Sequence, residues 1–178
     1  DWLSQRLKLQ VSGEKTSITN LKRNYSEFLG FKFKIQPKGK KQVINAQMSD
    51  KAIKSAKDKL KNQIKQIQKP KNETDLYQRV NIYNSMVMGI QNYYGIANNV
   101  CINLHDIQRY VSTTMKNRLK LKRAGKIQNS YLAKRYGKSK QVRWISGRPL
   151  IPIGYYKSKN PMGKKTSINQ YTPEGREE

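Results

Sequence analysis

Acidic residues are scarce in this 178-residue chain: 11 Asp+Glu stand against 37 Lys+Arg, a formal net charge of +26. So unbalanced a chain repels itself unless a polyanion is near. That argues against a free-standing metabolic enzyme and for nucleic acid, with an anionic membrane as the weaker option. Cysteine is nearly absent. With Cys101 alone, no internal disulfide and no zinc knuckle can form, which suits a reducing compartment. The one histidine, His105, excludes His–metal pairs and HNH-type nuclease centres within the chain. No apolar run approaches the roughly 18 residues that a membrane span needs, and no signal-peptide pattern opens the chain. Residue 1 is Asp rather than Met, so the chain reads as a piece of something longer.

What is present is unevenly distributed. Residues 80–105 contain no Lys, Arg, Asp or Glu, which reads as an element buried in a core. Residues 107–173 contain no acid yet hold 17 Lys+Arg. A merely soluble face mixes signs, so this stretch reads as a surface turned toward phosphates. Residues 157–169 read as a flexible basic connector.

Periodicity places the elements. Leu7, Leu9 and Val11 alternate as a short strand before a turn at 12–14. Residues 28–35 read as one strand, with Phe31, Phe33 and Ile35 on one face and Lys32 and Lys34 on the other. Turn residues 37–40 lead to a return strand at 42–45. Three helices follow. The first is capped by Ser49 and stopped by Pro70, with Ile53, Ala56, Leu60, Ile64 and Ile67 on one face. Lys51, Lys54, Lys61 and Lys65 lie off that face. The second starts at Asn72 with Asp75 three residues on, as in a capping box. Its seam is Leu76, Val80, Tyr83, Val87, Ile90, Tyr94, Ala97, in steps of four and three. Glu73 and Asp75 therefore read as helix-start acids rather than a catalytic pair. The third runs from an Asn103 cap to Gly125, with Arg118, Lys120, Lys122 and Arg123 crowding its C-terminal end. Short loops between helices predict an antiparallel three-helix bundle. Beyond Gly125, residues 127–136 suggest a short helix, and 142–145 and 150–153 extended apolar clips. The fold class is mainly α, of the α+β type.

Four segments then carry a resemblance. LKLQVSGEKTSITN (7–20), FLGF (28–31), GIQNYY (89–94) and SINQYTPEGR (167–176), in this order, resemble the C-terminal half of group II intron reverse transcriptases, the intron-encoded maturases. The resemblance implies the end of the palm with the primer grip over residues 1–47. It implies the thumb, or domain X, over 48–156, and a basic connector toward a following domain over 157–178. By the same resemblance, Lys15 matches the palm lysine that protonates the leaving pyrophosphate in the intact polymerase, a general-acid role. Its plain alternative is a solvated turn lysine. Phe28, Leu29, Gly30 and Phe31 would press backbone against a primer terminus, and Gly30 would permit the close approach.

The departure from the family matters as much. Polymerisation needs paired carboxylates holding Mg²⁺, and no Asp-Asp pair occurs here. The chain alone is therefore not expected to be catalytic, to hold a metal or to carry a cofactor. Mg²⁺ belongs to the intact polymerase. The expected partners are group II intron RNA, a template–primer duplex and the remaining fingers and palm, in a bacterial cytoplasm and away from membrane. Expected nucleic-acid contacts are Lys54, Lys61 and Lys65 on the first helix, Asn92 and Tyr93 beside the second helix's seam, Arg118, Lys120, Lys122 and Arg123, and then Lys134, Arg135, Arg143 and Trp144. Tyr110, Tyr131, Tyr136 and Trp144 interleave with arginines there, a pattern suited to phosphate contact and base stacking. A stand-alone basic RNA-binding or RNA-chaperone module explains the charge equally well but not the ordered motifs.

Overall fold

The structure is a computed structural model that describes residues 18–157, together with 5, 6 and 8. Lys15, most of the residues before it, and residues 158–178 with the closing motif lie outside the described residues.

Three antiparallel strands come first in chain order: β1 (Ser26–Phe28), β2 (Phe31–Lys38) and β3 (Lys41–Met48). The single strand expected over 28–35 is cut in two. Phe28 pairs with Phe31, so Leu29 and Gly30 form a two-residue hairpin loop. Both have positive φ, 49° and 79°. Such a loop follows the twist of its strands. Gly30 adopts that φ freely, whereas Leu29 costs about 1–2 kcal/mol there. The expected alternation holds over the first half of β2 but not at Ile35, which is half-buried, lies outside the core and pairs with exposed Ile44. Phe31 is buried and Phe33 packs against the core, while Lys32 and Lys34 lie 4.5 and 4.8 Å from the Tyr25 ring centre.

Three long helices follow: α1 (Asp50–Gln68), α2 (Glu73–Tyr94) and α3 (Val100–Arg118). The first two caps are the expected ones. Ser49 Oγ accepts from the Ala52 N–H and Asn72 Oδ1 from the Asp75 N–H. On α1, Ala56, Leu60, Ile64 and Ile67 are buried, each large one worth about 1.5–3 kcal/mol. The third helix departs from expectation at both ends. It starts at Val100, because Asn103 is not a cap: it is buried, and its Oδ1 accepts from the Met48 N–H of β3. It stops at Arg118 rather than Gly125, because residues 119–123 leave as extended chain. Lys122 then pairs with Trp144 through two backbone hydrogen bonds of 2.9 Å. A short helix α4 (Ser130–Tyr136) and a hairpin of β4 (Arg143–Ile145) and β5 (Arg148–Leu150) complete the described chain.

Sheet, helices and hairpin share one hydrophobic core that runs from Phe31 and Met48 through Leu60, Val80, Leu104 and Val111 to Trp144, Leu150 and Ile153. The seam of α2 is apolar only in part. Leu76, Val80, Tyr83 and Val87 are buried, Ile90 and Tyr94 are half-buried, and Ala97 lies past the helix end. Two buried amides complete that face. Asn84 Nδ2 donates to the Pro149 carbonyl at 2.9 Å, and its Oδ1 accepts from the Ile151 N–H at 3.1 Å. Gln91 Nε2 donates to the carbonyls of Ile153 at 2.8 Å and of Pro152 and Tyr155 at 3.3 Å. Residues 149–156, the end of β5 and the chain after it with a turn at 153–154, therefore pack against the helices. Buried backbone groups must be paired, and the two amides do this where no neighbouring strand exists.

Candidate nucleic-acid interface

Cationic residues of the C-terminal third line three clefts. The largest, about 820 Å³, runs between α3 and the β4–β5 hairpin and is lined by Arg109, Lys116, Arg123 and Arg143 with His105 and Gln108. Arg118, Lys120 and Lys122 line a second, beside Gln68, Pro70 and Ile145. Lys134, Arg135, Lys138 and Lys157 line a third, with Asn92, Tyr131, Tyr155 and Tyr156. Among the described residues, no carboxylate lines any of the three. Among the described residues, Arg109 is the only cation beyond Asp106 that takes part in an ion pair, at 3.6 Å to Asp106 on the surface. Clefts lined by one sign of charge concentrate a field of that sign.

Arg135 shows how a cation is fixed without being neutralised. Its Nη1 donates to Asn92 Oδ1 at 3.1 Å and to Tyr131 Oη at 3.2 Å, and its Nη2 donates to Gln91 Oε1 at 3.1 Å. Its guanidinium carbon lies 5.5 Å from the Tyr136 ring centre. Gln91 Oε1 also accepts from Tyr136 Oη at 2.5 Å. Burial raises the Tyr136 hydroxyl to about 12, so it remains a neutral donor.

The structure brings two of the resembling motifs together across some 60 residues of chain. Tyr93 Oη donates to the Leu29 carbonyl at 3.0 Å, and the Phe31 ring stacks on Tyr93 with centres 5.5 Å apart. Tyr94 lies 5.1 Å from Phe31, and burial raises its hydroxyl pKa. A Cβ on Gly30 would come within 2.9 Å of Tyr94 Oη, so internal packing already requires glycine there. The Gly30 carbonyl accepts from the Ser49 N–H at 2.8 Å. Phe28 and Leu29 present their side chains outward, each 66% exposed.

The other expected contacts divide. Lys54 and Lys65 are exposed on α1 and line none of the clefts, while Lys61 lies 5.8 Å from the Tyr110 ring centre. Arg118 donates to Gln68 Oε1 at 3.1 Å. Lys120, Lys122 and Arg123 are exposed but stand on the extended chain after α3, not on its last turn. Arg143 is half-buried and donates to the Lys140 and Val142 carbonyls.

Two aromatic expectations need correction. Trp144 is only 5% exposed, and a Cβ on Gly125 would collide with its indole, so it serves the core and cannot stack on a base. Tyr136 is wholly buried for the same reason, its ring filling space beneath α4. Tyr131 is the exposed aromatic of this stretch. Sequence reading missed Gln91 and Asn84, and took Asn103 for a cap. The available signal was a pair of amides seven residues apart, in register with Val80 and Val87 on an uncharged helix.

The two-magnesium chemistry implied by the resemblance has no seat among the described residues. No group of three His, Cys, Asp or Glu side chains there could hold a metal. Asp50, Asp75 and Asp106 are instead each paired with a cation: Lys32 at 2.8 Å, Arg79 at 2.7 Å and Lys57 at 2.6 Å. No described helix is long and apolar enough to cross a membrane. Comparison with protein families, curated proteins and solved structures returns no match.

Proposed function

We propose that this chain binds RNA through its acid-free cationic face, as the palm end and thumb of a group II intron reverse transcriptase and maturase. The single observation that carries RNA binding is the set of three cation-lined clefts with no carboxylate among the described residues. The order of the four sequence motifs carries the family reading, and the meeting of FLGF with Tyr93 and Tyr94 supports it. In this role the chain grips a template–primer duplex and intron RNA by phosphate and shape rather than by sequence. The carboxylates and Mg²⁺ of polymerisation would come from the rest of the polymerase.

A self-contained RNA-binding module is the second reading. The single core that unites the sheet with the helices favours it. Salt titration of the full chain against a structured RNA tests what both readings share. Log affinity should fall with log salt at a slope near −0.7 to −0.9 per phosphate contact, so a total steeper than about −3 is expected. A flat dependence would overturn RNA binding through this face. Competition separates the two readings: a template–primer duplex displaces the RNA if the chain is a thumb, and fails to do so if it is a stand-alone module.

A further inference from the structure

We propose that the cleft between the C-terminal end of α2, α4 and residues 155–157 holds one unpaired nucleotide, with Arg135 taking its phosphate and Tyr131 stacking on its base. Such a site rests on the nucleic-acid reading above and adds a ligand class to it.

Arg135 is pre-positioned for an anion. Three hydrogen bonds to neutral acceptors fix its guanidinium. Gln91, one of those acceptors, is fully buried, and its own amide nitrogen is committed to three backbone carbonyls. The platform therefore cannot swing away. Of the five guanidinium N–H groups, that on Nε and one on Nη2 have no partner among the described residues, so they are the donors left for phosphate oxygens. Neutral acceptors leave the full positive charge in place, and Lys134, Lys138 and Lys157 add to it from the rim. An arginine meant only to brace the fold would gain more from a carboxylate, as Arg79 does with Asp75.

The same cleft supplies aromatic faces. Tyr131 is 56% exposed, and its hydroxyl is tied to Arg135, which fixes the ring beside the charge. Tyr155 and Tyr156 also line it, with Tyr156 Oη donating to the Gly95 carbonyl at 2.9 Å. The volume, about 660 Å³, falls within the roughly 300–1,000 Å³ of small-ligand sites. A duplex offers phosphates but hides its base faces, so an aromatic wall next to a phosphate donor is matched only by an unpaired base. The cleft along α3 differs on this point. It is equally cationic, but among the described residues its one tyrosine, Tyr83, is fully buried, and the His105 imidazole is its one other ring.

The test compares two hairpin RNAs of one sequence, blunt or carrying a single-nucleotide 3′ overhang, by fluorescence anisotropy with the full chain. The overhang should tighten binding about tenfold, the range of one base stacked on an aromatic ring. Y131A should erase that gain, so that blunt and overhanging hairpins bind alike, whereas Y131F keeps most of it, since the ring remains. R135Q should erase it as well. An abasic overhang should bind little better than the blunt RNA. Equal affinity of wild-type protein for the two RNAs would overturn the site while leaving RNA binding intact. A Y131A loss shared equally by both RNAs would also overturn it. Failure of both RNAs to bind at low salt would instead remove the nucleic-acid reading itself. Tyr131 is exposed, so Y131A should melt at the wild-type temperature, and any loss it shows is not unfolding.

Discussion

Arg79 and Arg135 are both helix arginines, and they use their charge in opposite ways. Arg79 donates from Nε to Asp75 at 2.7 Å and from Nη1 to the carbonyls of Gln66 and Lys69. It closes the junction between α1 and α2. The Asp75 carboxyl is held below the usual range, first by Arg79 and then by the Lys71 N–H. Arg135 is held as firmly, but only by neutral oxygens. Its charge remains available. The regions repeat the contrast. Residues 50–106 contain the carboxylates that pair with Lys32, Lys57 and Arg79, while residues 107–157 contain none. Firm positioning and charge neutralisation are separate properties, and the second region has the first without the second.

The strongest challenge to that contrast is Gln91→Leu. It leaves the Ile153 and Tyr155 carbonyls and the Tyr136 hydroxyl without that partner, while the Pro152 carbonyl keeps the Tyr155 N–H, and should cost about 3 kcal/mol or more at roughly 1–3 kcal/mol per unmet group. Urea unfolding measures it; a loss below about 1 kcal/mol would mean that the Gln91 amide does not hold residues 152–155. Next is the combined change of Arg118, Lys120, Lys122 and Arg123 to Gln. RNA affinity at low salt should drop roughly 100-fold and the salt slope should become shallower by about 3, with the melting temperature unchanged. Unaltered affinity would remove this cluster from the interface.

Arg79→Gln should do the reverse. It should lower the melting temperature by a few degrees and leave RNA affinity where it was, because that charge is already neutralised. A weakened RNA complex with an unchanged melt would break the comparison. The smallest effect is one of pH. The folded state raises Tyr136 from its ordinary 10.0 to about 12 by burial. Its stabilising contribution is complete below the unfolded value and is lost between about pH 10 and 12, as the unfolded chain ionises first. Tyr136→Phe should therefore lose less stability than wild type across that window in paired urea melts. Parallel losses would show that other groups govern the alkaline transition.

Much of the helical layout was legible before the structure. Ser49 and Asn72 announce their helices because a cap is a local event, one side chain reaching an N–H three residues on. The seam from Leu76 to Val87 was legible for the same reason, since periodicity within one helix needs no partner. Asn103 was misread because its sequence position suits a cap, while its actual partner, the Met48 N–H, lies 55 residues away. Trp144 and Tyr136 looked like binding aromatics because neighbouring arginines say nothing about burial. The Leu29–Gly30 turn was hidden inside a β-like run, since Leu at positive φ is not what a turn normally presents.

By itself, then, the sequence determined the sign and location of the charge, the α+β composition and two of the three long-helix starts. Those depend on residue type and short spacing. Tertiary structure alone decided which cations share a cleft, which aromatic remains exposed, and that Gln91 both docks residues 152–155 and braces Arg135. These facts depend on contacts between residues 40 to 65 positions apart, where each polar group must find a partner once water is excluded.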